Sequence, residues 1–148
     1  MKKVVSLIKI MMVVLAMICI FCLSSQTATT SRALSNKVVT HLEQYIEAIA
    51  WLIPTISEVY LKQPTTWTRK LAHFVIYMVL GLVSYRALPK RWSVKKKIGF
   101  SVGLCFLYAI TDEFHQSFVP GRGPQLRDVL IDTIGSSVGI GISFWVKK

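Results

Sequence analysis

The residues best suited to chemistry fall in three short strings. TDEFHQSFVPGR carries Asp112, Glu113, His115, Gln116 and Arg122, and RDVLID carries Arg127, Asp128 and Asp132. RKLAH adds Arg69, Lys70 and His73. Carboxylates beside imidazoles are the usual means of general acid–base catalysis, which makes Asp112, Glu113, His73 and His115 the catalytic candidates. Arginine and lysine recognise phosphate and carboxylate, so Arg69, Lys70, Arg122 and Arg127 suit an anion, with His73, Gln116, Asp128 and Asp132 around it. Two carboxylates and two imidazoles are also ligand types for a divalent cation. No tight ligand spacing accompanies them, so neither a metal site nor a cofactor is expected.

These ionisable groups are embedded in apolar sequence. Val4 to Leu23, Leu71 to Leu88, Ile98 to Ile110 with a polar extension to Val119, and Val129 to Val146 are four long oily runs. A helix rises about 1.5 Å per residue and a bilayer core is about 30 Å thick, so roughly 20 residues cross it. Four such runs leave too little of the 148 residues for a soluble core. The expected fold is all-α: a single polytopic membrane domain over 1–148, with helices at about 4–23, 69–88, 98–119 and 126–146. A cleaved signal peptide is the alternative for the first run, since Lys2 and Lys3 precede an apolar core. Its length and the lack of a small-x-small site directly after it favour a retained helix. Cys19, Cys22 and Cys105 lie inside apolar runs, as lipid-facing or packed thiols rather than a disulfide framework.

A net charge of +11 would suggest nucleic acid in a soluble protein, but here topology explains it and nucleic-acid binding is not expected. With a cytoplasmic N-terminus and four crossings, the inner side collects Lys2, Lys3, Lys9, Arg86, Lys90, Arg91, Lys95, Lys96, Lys97, Lys147 and Lys148 and no acid. All seven acids fall on the outer side. That asymmetry is the positive-inside pattern and puts both termini in the cytoplasm. Pro89 to Lys97 becomes a short basic turn with Trp92 as an interfacial anchor.

The outer loop, 24–68, carries Leu34, Val38, Leu42, Ile46, Ile49, Ile53, Ile56 and Tyr60 at spacings of three or four. The spacing predicts an amphipathic helix on the outer leaflet or capping the bundle, broken or kinked at Pro54.

Depth then gathers the polar groups. Counting from the helix ends places His73 about 5 Å below the outer surface, and Asp112, Glu113 and Asp132 about 10 Å below it. Arg69, His73, Tyr77 and Gly81 form one i+4 stripe, while Asp128, Asp132, Gly135 and Gly139 form another. Small residues at such spacing mark close helix contact in membranes, and Gly99 and Gly103 repeat the pattern. Rotation places Glu113 nearer that glycine face than Asp112, which groups with His115 and Gln116 on another side. An ionised side chain at a helix centre costs about 2.5–3.5 kcal/mol on insertion scales, so partners are required. In VPGRGP, Pro120, Gly121, Gly123 and Pro124 make a tight turn with Arg122 at its tip, beside a helix N-terminus suited to an anion. Arg122 pairing with Asp128 or Glu113 is the structural alternative.

RKLAHFVIYMVLG, YAITDEFHQSFVPGR and RDVLIDTIGSSVGIG, with FCLSSQ closing the first run, resemble the VanZ-like family of bacterial membrane proteins. The match covers nearly the whole chain and is weakest between Thr27 and Trp67. The family's name member is implicated in low-level resistance to the glycopeptide teicoplanin, so the resemblance implies a cell-envelope role in the bacterial plasma membrane. Its motif residues fall here on Arg69, Lys70, His73, Asp112, Glu113, His115, Gln116, Arg122 and Asp128. Where the family often has Asn, this chain has Asp132.

Three functions fit these residues. The first is binding of an anionic lipid-linked cell-wall precursor or an amphiphilic glycopeptide at the outer leaflet. The second is an intramembrane hydrolase or transferase on a lipid head group, with Glu113 or Asp112 as general base. The third is a small proton-coupled transporter using the acids as a relay, which four helices serve only as an oligomer. Binding is preferred, because anion recognition needs only the bases present, whereas an enzyme needs a nucleophile or metal that no motif supplies.

Overall fold

A computed structural model describes residues 2–49, 60 and 62–146. Among them are five helices and no strand: α1 Lys2–Ser24, α2 Ala28–Ile49, α3 Pro64–Ala87, α4 Val94–Gln116 and α5 Leu126–Trp145. The four apolar runs become α1, α3, α4 and α5. Helix α3 starts earlier than the apolar pattern suggests, because Pro64 suits a first turn whose amide would be unpaired anyway. Ser93 caps α4 by accepting from the Lys96 amide at 3.3 Å. Helix α4 stops at Gln116, short of the expected 119, since Val119 precedes Pro120 and is pushed out of helical geometry.

By length and composition one helix, α1, is apolar enough to cross a membrane; the others carry the ionisable residues that dilute their hydropathy.

Helices α3 and α5 run parallel with their backbones in contact. A side chain added at Gly135 would strike the Phe74 carbonyl, at Gly139 the Met78 carbonyl, and at Gly81 the Ser136 carbonyl. Ser143 Oγ continues the register by donating to the Leu82 carbonyl at 3.2 Å. Phe74, Met78 and Leu82 thus face Gly135, Gly139 and Ser143 turn by turn. Gly99 and Gly103 behave otherwise: open space surrounds both, so α4 does not use the expected glycine contact. Larger residues, Cys105 and Ala109, seat α4 in the core.

The core is small and mostly apolar: Ala16 and Ile20 of α1, Tyr77, Leu80 and Val83 of α3, Cys105 and Ala109 of α4, and Val129 of α5. Tyr108 ties α4 to α1 by donating to the Met17 carbonyl at 2.7 Å. Near the opposite end Lys97 lies buried with its ammonium 4.1 Å above the Tyr85 ring, and Lys96 sits 4.5 Å from the Trp92 ring. Cys19 and Cys22 are exposed thiols and Cys105 a buried one, with no disulfide among the described residues.

Burial is inverted relative to a water-soluble bundle. Ser24, Ser101, Asp132, Ser136 and Ser143 are fully enclosed. Meanwhile Leu126, Leu130, Ile134, Val138 and Ile142 form an unbroken i+4 stripe on the outside of α5, 39–86% exposed. Leu71, Val75 and Val79 do the same on α3.

Helix α2 realises the first part of the predicted loop helix; Ile53, Pro54 and Ile56 lie outside the described residues. Its apolar stripe Leu34, Val38 and Leu42 points outward, and Ser31, Ser35 and Val39 face the bundle.

Candidate functional site

Helices α1, α3, α4 and α5 bring their polar ends together. Helices α1 and α4 finish at the level where α3 and α5 begin, so Ser24, Asp112 and Gln116 meet His73, Lys70, Asp128 and Asp132. The residues expected to share one level therefore meet in space, and the glycine register is the cause. With Gly135 against Phe74, the preceding turns must bring His73 beside Asp132 and Lys70 beside Asp128.

Each acid has a different environment. Asp112, buried on α4, accepts from Ser24 Oγ at 2.9 Å and Gln116 Nε2 at 3.0 Å, both on Oδ2. Asp128 is ion-paired with Lys70, both side chains mostly buried. Glu113 Oε2 accepts the Gln125 amide at 2.7 Å and so caps the N-terminus of α5 from a neighbouring helix. Asp132 is fully buried, and neither of its oxygens has a hydrogen-bond donor among the described residues. His73 Nδ1 lies 3.9 Å from both Asp112 Oδ2 and Asp132 Oδ2.

Arg122 links the layers. Its Nη1 donates to the Ser24 carbonyl at 3.3 Å and to Gln116 Oε1 at 3.2 Å, and Gln116 in turn donates to Asp112. The Ser24 carbonyl is an orphan acceptor at the C-terminus of α1, where a cation is favourable. Burial, reinforced by Arg69 nearby, lowers the proton affinity of Arg122, while Asp112 and Glu113 oppose that; a guanidinium stays charged at neutral pH regardless. The turn owes its shape to Gly121, whose φ of 76° a side chain rarely adopts.

Above this network opens a cavity of about 490 Å³. Arg32, Arg69, Lys70, Arg122 and Arg127 line it with one acid among the described residues, Asp128. Among the described residues no carboxylate lies within ion-pair reach of Arg32, Arg69, Arg122 or Arg127. Gln116, Gln125, Ser31, Ser35 and Thr66 add polar groups to the wall. Arginine's planar fork matches the oxygens of phosphate and carboxylate, so the lining is of a type that suits an anion.

Of the residues singled out from the sequence, Asp112, His73 and Asp132 come together, and Arg69, Lys70, Gln116, Arg122, Arg127 and Asp128 line one cavity. Asp112 and Glu113 are both buried, as acids turned into the bundle would be, and helix rotation gives them different partners. Arg122 pairs with neither Asp128 nor Glu113, because Lys70 and the Gln125 amide hold those acids. His115 stands apart: its ring stacks on Phe21 at 4.4 Å, and Nε2 lies 3.1 Å from Ser25 Oγ. Ser24, Ser31, Arg32 and Ser35 were missed. The last three recur at three to four residues, a polar stripe on α2 overshadowed by its apolar one.

No curated protein and no solved structure matches the chain. The family model for VanZ/LLP1 matches residues 9–147, which takes in all four convergent helices and every residue of the polar network. This chain belongs to the VanZ/LLP1 family.

Proposed function

We propose that this chain is a four-pass protein of the bacterial plasma membrane, both termini cytoplasmic, that holds the anionic head group of a lipid-linked cell-wall precursor under the outer leaflet. The observation that carries the reading is the cavity: five bases against one acid, and that acid already engaged by Lys70. A polar, cationic cavity of this kind suits a phosphate-bearing head group and not an acyl chain. The tail is accommodated outside it, beside the exposed Leu34, Val38 and Leu42 of α2.

Three features support the four crossings. The apolar stripes of α3 and α5 face outward, where water would penalise them and lipid would not. Chain direction alternates along the bundle, α1 and α4 one way and α3 and α5 the other, as successive crossings require. The polar ends coincide with the side to which the charge asymmetry assigns the acids. Retention of α1 fits as well, since Ser24 at its end donates to Asp112. Membership in the VanZ/LLP1 family is consistent with a glycopeptide-resistance-associated envelope protein, and capture of a cell-wall precursor is a direct route to teicoplanin tolerance.

The reading is tested with protein in nanodiscs and a polyprenyl diphosphate as probe, against zwitterionic phosphatidylcholine. Selective retention of the diphosphate, weakened at least tenfold by Arg122→Ala or Arg69→Ala, is expected. Equal retention of both lipids, or indifference to both substitutions, would end it. Conversion of the probe to a smaller product would favour the hydrolase. In that alternative Glu113 would act through Oε1, since the Gln125 amide holds Oε2.

A further inference from the structure

Beneath the anion cavity lies a cluster that its chemistry does not use. His73 of α3, Asp112 of α4 and Asp132 of α5 offer one nitrogen and two carboxylate oxygens that all lie within 4.8 Å of one another. We propose that these three residues form a binding site for one divalent transition-metal cation, with Zn2+ or Mn2+ the ions that suit the ligand set.

Four observations carry this. Asp132 is 0% exposed, and both of its oxygens lack a donor while one points at His73 from 3.9 Å. Buried carboxylates are paired or coordinate metals, because a desolvated charge otherwise costs several kcal/mol. One imidazole carries at most one positive charge, against two carboxylates. Arg122 Nη1 donates to Gln116 Oε1 and the Ser24 carbonyl, and no ion pair joins Arg122 to Asp112 or Asp132 among the described residues.

Second, the ligand types agree. Imidazole suits zinc and carboxylate oxygens suit manganese, and a mixed set takes either. Third, the spacing is close to coordination distance. A tetrahedral ion about 2.0–2.1 Å from each ligand holds neighbouring ligands roughly 3.3 Å apart. The two separations of 3.9 Å close to that by side-chain shifts of roughly half an ångström each. Fourth, the surroundings resemble a supported site. Ser24 Oγ and Gln116 Nε2 both hydrogen-bond Asp112 and fix its orientation, as outer partners of metal ligands do. A void of about 10 Å³, room for one water or one ion, adjoins His73 and Asp132. It shares Arg69, Lys70 and Gln116 with the larger cavity above.

The site stands independently of lipid binding, since metal uptake is measured without any anion present. Purified protein is stripped with a chelator and loaded with Zn2+ alone or Mn2+ alone. After desalting, bound metal is counted by mass spectrometry. About one ion per chain is expected, with a rise in Tm on loading. Asp132→Asn preserves shape and should weaken binding at least tenfold and abolish the Tm rise, as should His73→Gln. His115→Gln, outside the cluster, should bind as the unchanged protein does. Substitution of Co2+ adds a coordination spectrum that a surface-bound ion would not give. Absence of stoichiometric metal from the unchanged protein, or equal binding by Asp132→Asn and His73→Gln, overturns the proposal.

Discussion

The two layers of the polar end obey opposite rules. In the cavity, five bases crowd together and only Lys70 meets a carboxylate among the described residues. A few ångströms below, two carboxylates and an imidazole crowd together with few donors. Neither layer neutralises the other, although Arg122 and Asp112 sit in the same hydrogen-bonded chain with Gln116 between them. Segregated like charges are unfavourable in the bare chain, and under the two proposals each layer would complement a ligand of opposite sign. The difference teaches that the two layers of one polar end are held by separate partners rather than by each other.

The strongest way to break the comparison is to remove the scaffold under both layers. Gly139→Leu pushes a side chain into the Met78 carbonyl, where backbone rather than a flexible side chain must move. Overpacking ordinarily costs about 1–3 kcal/mol, and separating two helices costs about 3 kcal/mol or more. The folded, monodisperse fraction after detergent extraction should collapse. Gly103→Leu, in open space, should extract normally. If both behave alike, the α3–α5 register does not assemble the site.

Lys70 and Asp128 form an ion pair within the cavity layer itself. With both side chains about 15% exposed, Lys70→Met strands the acid and should cost about 1–3 kcal/mol, read as a lower Tm. The double change with Asp128→Asn should recover most of that loss, leaving about 0.3–1 kcal/mol for the acid's interaction with the N-terminus of α5. A double variant no better than Lys70→Met would mean that lysine acts through packing instead.

How far the sequence alone foretold this contrast differs between the layers. Helix direction, the shared depth of His73, Asp112 and Asp132, and the glycine contact of α5 follow from helical rise, charge asymmetry and i+4 spacing. Those are periodic signals within single segments. The fates of Asp112 and Glu113 were not legible, because adjacent residues on a helix differ by about 100° and only the neighbours decide which partner each meets. Gly99 and Gly103 looked identical to Gly135 and Gly139 in pattern, yet no helix lies against them. The metal-type cluster was weighed from its ligand types and set aside, because its ligands come one each from three helices with no spacing to recognise. Arg32 was hidden because α2's outward apolar stripe dominates its periodicity.

Arg122 sharpens the comparison, since its guanidinium serves the cavity while bracing Gln116 above Asp112. Arg122→Ala should weaken polyprenyl diphosphate binding at least tenfold, about 1.4 kcal/mol. Arg122→Lys keeps the charge but not the two-armed reach to the Ser24 carbonyl and Gln116, so a threefold loss is expected. If lysine is as poor as alanine, geometry and not charge sets affinity. Metal loading should persist in both variants, because neither removes a ligand.

The smallest effect should come from the acid that sequence reasoning ranked among the best catalytic candidates. Glu113 is buried, but its work is to accept the Gln125 amide at the start of α5. Glu113→Gln retains a carbonyl oxygen for that amide, so stability should change by no more than about 1 kcal/mol and lipid retention should be unchanged. Its second oxygen, which has no donor among the described residues, becomes an amide group that needs an acceptor, and that accounts for the residual cost. Teicoplanin susceptibility of cells carrying Glu113→Gln is the decisive measurement. Full protection agrees with a capping role, since a general base does not survive conversion to an amide. Lost protection from a protein that is inserted, folded and still retains lipid would instead make Glu113 a proton acceptor, and the hydrolase reading would displace the binding one.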